Sequence, residues 1–143
     1  MYLMGLDIGT TGCNSALFTA DGELVSISYR EYERAFYRPK PMYSEMDTKA
    51  IWADIAASIK LCLESGRVDP REISGLAVSS FGETVVPIDW DGKQAHPAID
   101  WSDTRSESYK SQTKFLNREI GASTIFEITG YPLNHMPSII KIL

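Results

Sequence analysis

Hydrophobic and polar positions near the N-terminus fall into three short runs that are typical of β-strands. Residues 2–7 and 13–19 are rich in apolar side chains and are separated by the five residues IGTTG. Residues 24–32 follow an Asp-Gly turn signal and alternate in type, with Val25 and Ile27 on one face and serines on the other. A period of two with short connections predicts three consecutive antiparallel strands.

The hydrophobic period changes after residue 47. Apolar side chains recur at spacings of three and four residues between 48 and 65, which predicts an amphipathic helix. Asp47 is a candidate N-cap of this helix, and Gly66 stands just past its end. The preceding residues 33–46 contain two prolines and are interpreted as an extended loop. The apolar repeat of the helix consists of Trp52, Ile55, Ile59 and Cys62 or Leu63.

Strand and helix signals continue to alternate in the second half of the chain. Residues 73–80 are small and apolar and suit a buried strand, and residues 85–89 form a shorter run before a WDGK turn. A helix is predicted from Asp103 to about Ile120, with shorter helical segments around 123–128 and after Pro137. The inward face of the long helix is expected to carry Tyr109, Leu116 and Ile120. Three strands, a helix and a further strand indicate an α/β fold with a mixed sheet.

Composition narrows the classes of protein that fit. The chain has 143 residues, enough for one domain with a real core, of which 43% are hydrophobic and 23% are charged. Its net charge of −5 argues against nucleic acid or a membrane surface as partner, because both attract clustered Lys and Arg. Cys13 and Cys62 stand far apart and are expected to be buried reduced thiols. No signal peptide is recognisable, so we expect a cytoplasmic location.

The residues DIGTTG, Asp7 to Gly12, are the first candidate for chemistry. Glycines allow unusual backbone angles and close approach of a ligand, and consecutive N–H groups in such a turn can hold an anion. Asp7 at the end of a strand would be placed to bind Mg²⁺ beside a phosphate. The alternative is a tight hairpin with a solvated Asp. The phosphate-binding interpretation concerns Gly9, Thr10, Thr11 and Gly12.

Five segments, taken in order, resemble the FGGY family of carbohydrate kinases within the actin-like ATPase superfamily. They are DIGTTG, YSEMDTKAIW (43–52), ISGLAVSSFGETVVPIDWDG (73–92), PAIDWSDTRS (97–106) and TGYPLNHMPSIIKIL (129–143). The resemblance covers essentially the whole chain and implies a ribonuclease H-like fold. It identifies residues 1–143 as the N-terminal, sugar-binding part of such a kinase. Because the apolar PSIIKIL stops without a cap, we expect this domain to be incomplete at its C-terminus.

The resemblance also implies roles for particular residues. Gly82 and Glu83 match the loop that meets the hydroxyl groups of a sugar or polyol, and Trp101 matches a residue that lines the substrate pocket. Glycerol kinase-like proteins have Arg-Glu in that loop, so the Gly82 of this chain puts glycerol as substrate in doubt. Met136 stands where those proteins have an aromatic pocket residue. The alternatives are a solvated turn carboxylate for Glu83 and a packing role for Trp101.

Two further positions are left open by the sequence. Asp103 could contact the substrate, but a helix N-cap paired with Arg105 accounts for it equally well. Asn14 stands where the family often has Lys or Arg reaching toward phosphate, and an amide cannot supply that charge. His96 and His135 lie in predicted loops and are expected to be solvated or structural.

The function implied is ATP-dependent phosphorylation of a sugar or polyol hydroxyl, with ATP and Mg²⁺ as cofactors. In this family an Asp in a later motif accepts the proton, and no Asp of these 143 residues matches it. The expected partner is therefore a C-terminal ATP-binding domain, and residues 1–143 alone are predicted to lack kinase activity. A homodimer stays open. The rival hypotheses are a non-catalytic nucleotide- or sugar-binding module of the actin-like superfamily and a plain interaction domain.

Overall fold

The computed structural model describes residues 1–33, 35–106 and 110–143, which form two compact units. The first unit comprises Met1–Ala35 and Thr48–Phe81, and the second comprises Phe36–Asp47 and Gly82–Leu143. The strands are β1 (Tyr2–Ile8), β2 (Gly12–Thr19), β3 (Leu24–Glu31), β4 (Phe36–Tyr37), β5 (Glu45–Met46), β6 (Ile73–Ser80) and β7 (Ala98–Ile99). The helices are α1 (Thr48–Gly66), α2 (Ser111–Glu119), α3 (Ala122–Thr129) and α4 (Ser138–Ile142), with a 3₁₀ turn at Pro70–Glu72.

The first unit is built on a four-stranded mixed sheet of order β3-β2-β1-β6. Strands β1, β2 and β3 pair in antiparallel fashion, while β6 runs parallel to β1 after the crossover through α1. The predicted antiparallel meander and the mixed sheet are both confirmed. In this register Asp7 lies directly across from Asn14 on β2 and Ser79 on β6, at the end of β1 that leads into the Gly-Thr turn.

Helix α1 packs on the sheet through a face that agrees in part with the predicted one. Its buried residues are Ile51, Ile55, Ser58 and Cys62, of which Ile55 and Cys62 were predicted. Trp52, which the apolar repeat placed inward, is 69% exposed, so that part of the prediction is wrong. Ile59 is only half-buried, and the neighbouring Ser58 is buried in its place.

Serines from both layers form the contact between α1 and the sheet. The hydroxyl of Ser15 donates to the hydroxyl of Ser58 at 2.9 Å, and the hydroxyl of Ser28 donates to the Ser58 carbonyl at 2.7 Å. The hydroxyl of Ser26 donates to the carbonyl of Cys62 at 2.7 Å. Small side chains that satisfy one another let the helix approach closely. Both predicted reduced thiols, Cys13 and Cys62, are free and buried.

The second unit contains a three-stranded sheet of order β4-β5-β7. Residues 33–46 are therefore not wholly a loop, since they contribute two short strands. The predicted strand 85–89 is reduced to isolated bridges, Val85 with Ile99 and Ile88 with Gln94. The WDGK turn is confirmed, because the N–H of Asp89 donates to the carbonyl of Lys93 at 2.8 Å.

The helix predicted from Asp103 to Ile120 is interrupted. Lys110 has a left-handed conformation with φ of 49°, and α2 begins only at the next residue. Leu116 is buried as predicted, Ile120 is 49% exposed, and Tyr109 lies outside the described residues. Strand β6 has the predicted bounds, but most of its residues are exposed, so the expectation of a buried strand is wrong. Among the described helices, none combines the length and apolar character needed to span a membrane.

Candidate functional site

The turn between β1 and β2 leaves two adjacent backbone donors uncommitted. The N–H of Gly9 donates to the carbonyl of Gly12 at 2.9 Å, and the carbonyl of Thr11 accepts from the N–H of Tyr32 at 3.0 Å. In the described part of the chain no group accepts a hydrogen bond from the N–H of Thr10 or Thr11. Two neighbouring N–H groups beside two Thr hydroxyls can hold an anionic oxygen.

Gly12 is required by a close approach of β3. A Cβ at this position would lie 2.5 Å from the carbonyl oxygen of Arg30 and 2.6 Å from the hydroxyl of Tyr29. The expectation that Gly9 and Gly12 supply unusual backbone angles is wrong. Among the described glycines, positive φ occurs at Gly22, Gly92, Gly121 and Gly130. The need for a glycine at position 12 is therefore explained by the lack of space for a Cβ, and not by a positive φ.

Asp7 presents its carboxylate on the open face of the sheet. It is exposed and lies among Asn14, Ser79 and the small residues Ala16 and Ala77, which line one shallow depression. Within the described ranges no group of three or more His, Cys, Asp or Glu side chains is arranged to hold a metal ion. Mg²⁺ commonly binds through one or two carboxylates, waters and substrate phosphates. This donor set therefore fits Mg²⁺ only together with a phosphate.

Glu83 is held by the first residue of α4. Its Oε2 accepts from the backbone N–H of Ser138 at 2.5 Å and from the Ser138 hydroxyl at 2.8 Å. No described residue donates to the other oxygen, Oε1. Glu83 also has φ of 57°, a left-handed conformation that is uncommon for a residue with a side chain. It is therefore a fixed carboxylate rather than a solvated turn residue, with one oxygen left over.

Lys141 lies on the same turn of α4. Its Nζ donates to the carbonyl of Met136 at 2.5 Å, and the N–H of Met136 donates to Oδ1 of Asn134 at 2.8 Å. Burial lowers the pKa of Lys141, and the charges of Glu83 and two Asp carboxylates oppose that shift. The loop that carries Met136 is thus fixed by polar contacts on both sides of this residue.

Trp101 and Gly82 differ in their surroundings. Trp101 is partly buried in the turn after β7, and its indole N–H makes no hydrogen bond with any residue the structure describes. Gly82 is exposed, and a Cβ there would have no atom within 4 Å. A methyl group at position 82 would therefore fit without rearrangement.

Asp103 makes the contacts expected of an N-cap paired with Arg105, the second of the two roles that the sequence allows. It is 2% exposed and accepts from the N–H of Ser44 at 2.7 Å and from the N–H of Arg105 at 3.0 Å. The guanidinium of Arg105 donates to both of its oxygens and to Glu45. Burial would raise the pKa of Asp103, but these donors outweigh it and hold the pKa below its ordinary value. Its carboxylate is thus committed within the protein.

Asp100 is a buried carboxylate that the sequence analysis did not select. Its Oδ2 accepts from the hydroxyls of Ser102 at 2.6 Å and Ser44 at 3.2 Å, while Oδ1 is buried without a partner among the described residues. Its position directly after the apolar run PAI is the sequence signal that could have identified Asp100. Ser138, Lys141 and Glu45 were also missed. Ser138 and Glu45 act through partners that are distant in sequence, and Lys141 bonds to a backbone carbonyl, for which the residue type gives no signal. His96 is exposed, with its Nδ1 2.8 Å from the carbonyl of Pro97.

Comparison with known families gives one match that covers almost the whole chain. Residues 2–143 match the sequence profile of the N-terminal domain of the FGGY family of carbohydrate kinases. A glycerol kinase of Acaryochloris marina is 32% identical over 136 residues, covering 93% of this chain and 26% of that protein. Glycerol kinase 2 of Streptomyces coelicolor is 30% identical over 135 residues, which cover 92% of this chain and 25% of that protein. The chain thus spans about a quarter of the length of these relatives.

Solved structures of low sequence identity share the fold. A ligand-bound xylulose kinase from Lactobacillus acidophilus aligns with 99% of this chain and 27% of its own, with a TM-score of 0.83 and 23% identity. A Plasmodium falciparum glycerol kinase with ADP aligns with 99% of this chain and 28% of its own, with a TM-score of 0.77 and 18% identity. The predicted actin-like, α/β fold is confirmed by these likenesses.

Proposed function

Because the chain belongs to the FGGY family of carbohydrate kinases, we propose that the protein carrying it phosphorylates a sugar or polyol hydroxyl with ATP. The observation that carries this proposal within the molecule is the turn between β1 and β2. There an exposed carboxylate, Asp7, precedes two adjacent backbone donors that no described residue uses. Phosphoryl transfer depends mainly on positioning and on neutralisation of charge. The backbone donors of this turn would position phosphate, and Asp7 would hold the Mg²⁺ that neutralises its charge.

The phosphate groups of ATP would be held by the turn from Gly9 to Gly12. The N–H groups of Thr10 and Thr11 and their hydroxyls would donate to phosphate oxygens, and the amide of Asn14 would add a neutral donor. Asp7 would hold Mg²⁺, which supplies neutralising charge on the phosphates when it is bound. Because Asn14 carries no charge, Mg²⁺ held at Asp7 would supply the positive charge at this turn.

The sugar or polyol would be held by the second unit. Both acceptor positions of the Glu83 Oε2 atom are taken by Ser138, so the substrate hydroxyls would donate to Oε1, which has two acceptor positions of its own. Hydrogen bonds to a carboxylate are stronger than neutral ones, so two adjacent hydroxyls on Oε1 would be bound with preference. The indole face of Trp101 would cover C–H surface of the substrate, and Met136 would complete the pocket wall.

Gly82 and Asp103 have indirect roles in this proposal. Gly82 leaves open space beside Glu83, which suits a substrate bulkier than glycerol. Asp103 holds the chain around Trp101 through the N–H of Ser44 and the guanidinium of Arg105, so we assign it a positioning role rather than direct contact. The carboxylate that takes the proton from the attacking hydroxyl, and the adenosine site, would be supplied by chain outside residues 1–143.

The test is an ATP-dependent assay of the full-length protein that measures ADP release with a panel of pentoses, hexoses and polyols. The proposal predicts turnover with at least one member and its loss in Asp7→Ala. Asp21→Ala is the matched control, since Asp21 is an exposed carboxylate in the β2–β3 turn of the same unit. If binding of a sugar or of ATP is measurable without any turnover, the protein is instead a non-catalytic binding module.

A further inference from the structure

The first turn of α4 contacts both of the loops proposed to hold the substrate. Ser138 donates twice to Glu83, which lies 55 residues earlier in the chain. Lys141 donates to the carbonyl of Met136 in the loop that leads into α4. Neither contact involves the phosphate-binding turn.

The contact between Ser138 and Glu83 limits where that carboxylate can be. A Glu side chain has three rotatable bonds and would sample many positions if it were solvated. Two donors on the single oxygen Oε2 fix its position and direction, and Oε1 then occupies a defined place. The left-handed φ of Glu83 is an uncommon conformation, which persists only where surrounding contacts hold it. The hydroxyl and N–H of Ser138 both bond to the Glu83 side chain in this conformation.

Lys141 complements this arrangement with charge. Its ammonium is partly buried, which lowers its pKa, and the negative charges of Glu83, Asp103 and Asp100 oppose that shift. Through its bond to the Met136 carbonyl at 2.5 Å it also fixes the backbone immediately before Pro137.

We propose that Ser138 and Lys141 are positioning residues of the substrate site, with Ser138 orienting Glu83 and Lys141 fixing the loop of Met136. This inference rests on the proposed function, because it assumes that Glu83 and Met136 contact the sugar or polyol. Ser138 and Lys141 act through these residues and not on the substrate itself.

Ser138→Ala removes the hydroxyl donor and keeps the backbone N–H, so α4 should still form. A hydrogen bond to a charged group contributes enough that its loss should raise the KM for the sugar or polyol about tenfold. The value of kcat and the KM for ATP should change less than about twofold, because Ser138 does not contact the reacting phosphate. Ser138→Thr retains a hydroxyl and should restore most of the affinity. Lys141→Met should likewise raise the KM for the sugar or polyol.

The experiment measures KM and kcat of the full-length protein for the best substrate of the panel, together with melting temperature. Ser111→Ala is the matched control, since Ser111 is the exposed first residue of α2. A double-mutant cycle with Glu83→Gln separates orientation from a general structural effect. If Ser138 acts through Glu83, the Ser138→Ala change should have little effect in the Glu83→Gln background.

Each result decides the matter. A rise in substrate KM that is rescued by Thr and is non-additive with Glu83→Gln supports the inference. An active wild-type protein whose KM is unaffected by Ser138→Ala overturns it and leaves the proposed function standing. Equal effects in both backgrounds, or loss of kcat in step with melting temperature, show a structural role only and also overturn it. A full-length protein that phosphorylates no member of the panel overturns the proposed function first, and this inference with it.

Discussion

The guanidinium of Arg105 lies over the ring of Tyr43, with its Cζ 3.8 Å from the ring centroid. The same group donates to Glu45 at 2.8 Å and to Asp103 at 2.7 Å, and both carboxylates are almost fully buried. A planar guanidinium can stack on an aromatic ring and bind two carboxylates at once, which an ammonium cannot do. Arg105, together with Asp100 and Asp103, therefore joins the segment around Ser44 to the turn after Trp101.

Removing this guanidinium should destabilise the protein strongly. Arg105→Ala leaves two buried carboxylates without their counter-charge, for which we expect a loss of about 3 kcal/mol in the free energy of unfolding. Arg105→Lys keeps the charge but loses the stacking and the paired donors, so its loss should be intermediate. Urea unfolding measures both, with the exposed Arg71→Ala as control because its pair with Asp69 is solvent-screened. Equal midpoints for Arg105→Ala and wild type would contradict this assignment.

Acid should weaken the same cluster. The pKa of Asp103 is lower in the folded than in the unfolded protein, so the folded state binds fewer protons at this group. The stabilisation that the ionised Asp103 gives to the folded state is fully present at pH values above 3.8, the ordinary pKa of an Asp. It is lost as the pH falls below 3.8 through the pKa of the folded state. Unfolding curves recorded from neutral pH downward should show that Asp103→Asn is less stable at neutral pH and loses less on acidification. Parallel curves for the two proteins would exclude this role.

Two glycines of the candidate site should respond oppositely to a methyl group. At Gly12 a Cβ would lie 2.5 Å from a backbone carbonyl, so Gly12→Ala must shift β3 and should cost about 2 kcal/mol of stability. At Gly82 a Cβ would have no atom within 4 Å, so Gly82→Ala should be nearly neutral. Melting temperatures of the two variants give the comparison. A neutral Gly12→Ala would show that the turn has room that the structure does not.

The sheet was predictable because its strands follow a period of two with clear turns between them. Which face of each strand is buried was harder to predict. Val25 and Ile27 form the apolar face of the alternating pattern of β3, yet Ile27 is 59% exposed and Ser28 on the other face is buried. Serines can line an interior when they bond to one another, as Ser28 does with Ser58, and a hydrophobic pattern cannot register this.

The site was partly predictable for a similar reason. Asp7 to Gly12 and Glu83 stand out as short local motifs, and their segments match a known family. The contact of Glu83 with Ser138 joins residues far apart in sequence, and a single sequence carries no signal of such pairs. Asp103 was undecided between two roles until its donors, Ser44 and Arg105, were placed.

The two thiols provide a simple check of the core of the first unit. Cys13 and Cys62 are 1% and 0% exposed, and burial raises the pKa of Cys13, which disfavours the reactive thiolate. Neither should react with a thiol reagent at pH 8 in the folded protein, while both should react quickly in denaturant. Stoichiometric reaction under native conditions would contradict the packing of α1 on the sheet.

Position 82 offers a test of substrate preference. A Cβ at this position would have no atom within 4 Å. The resemblance to glycerol kinase-like proteins implies Arg beside the corresponding Glu. Gly82→Arg would introduce a cation next to Glu83 in the chain and narrow the space beside it. We expect its kcat/KM to shift toward glycerol and away from the best larger substrate of the panel. Gly82→Ala is the control, and an unchanged substrate ranking in Gly82→Arg would show that position 82 does not face the substrate.

The most direct test of the central claim is the detection of the product itself. Phosphorus-31 NMR of the full-length protein with ATP, Mg²⁺ and the sugar and polyol panel should show a new phosphate monoester together with ADP. The signal should be absent with Asp7→Ala, retained with Asp21→Ala, and absent with residues 1–143 alone. No monoester from the folded wild-type protein with any member of the panel, or an undiminished one from Asp7→Ala, would contradict the account.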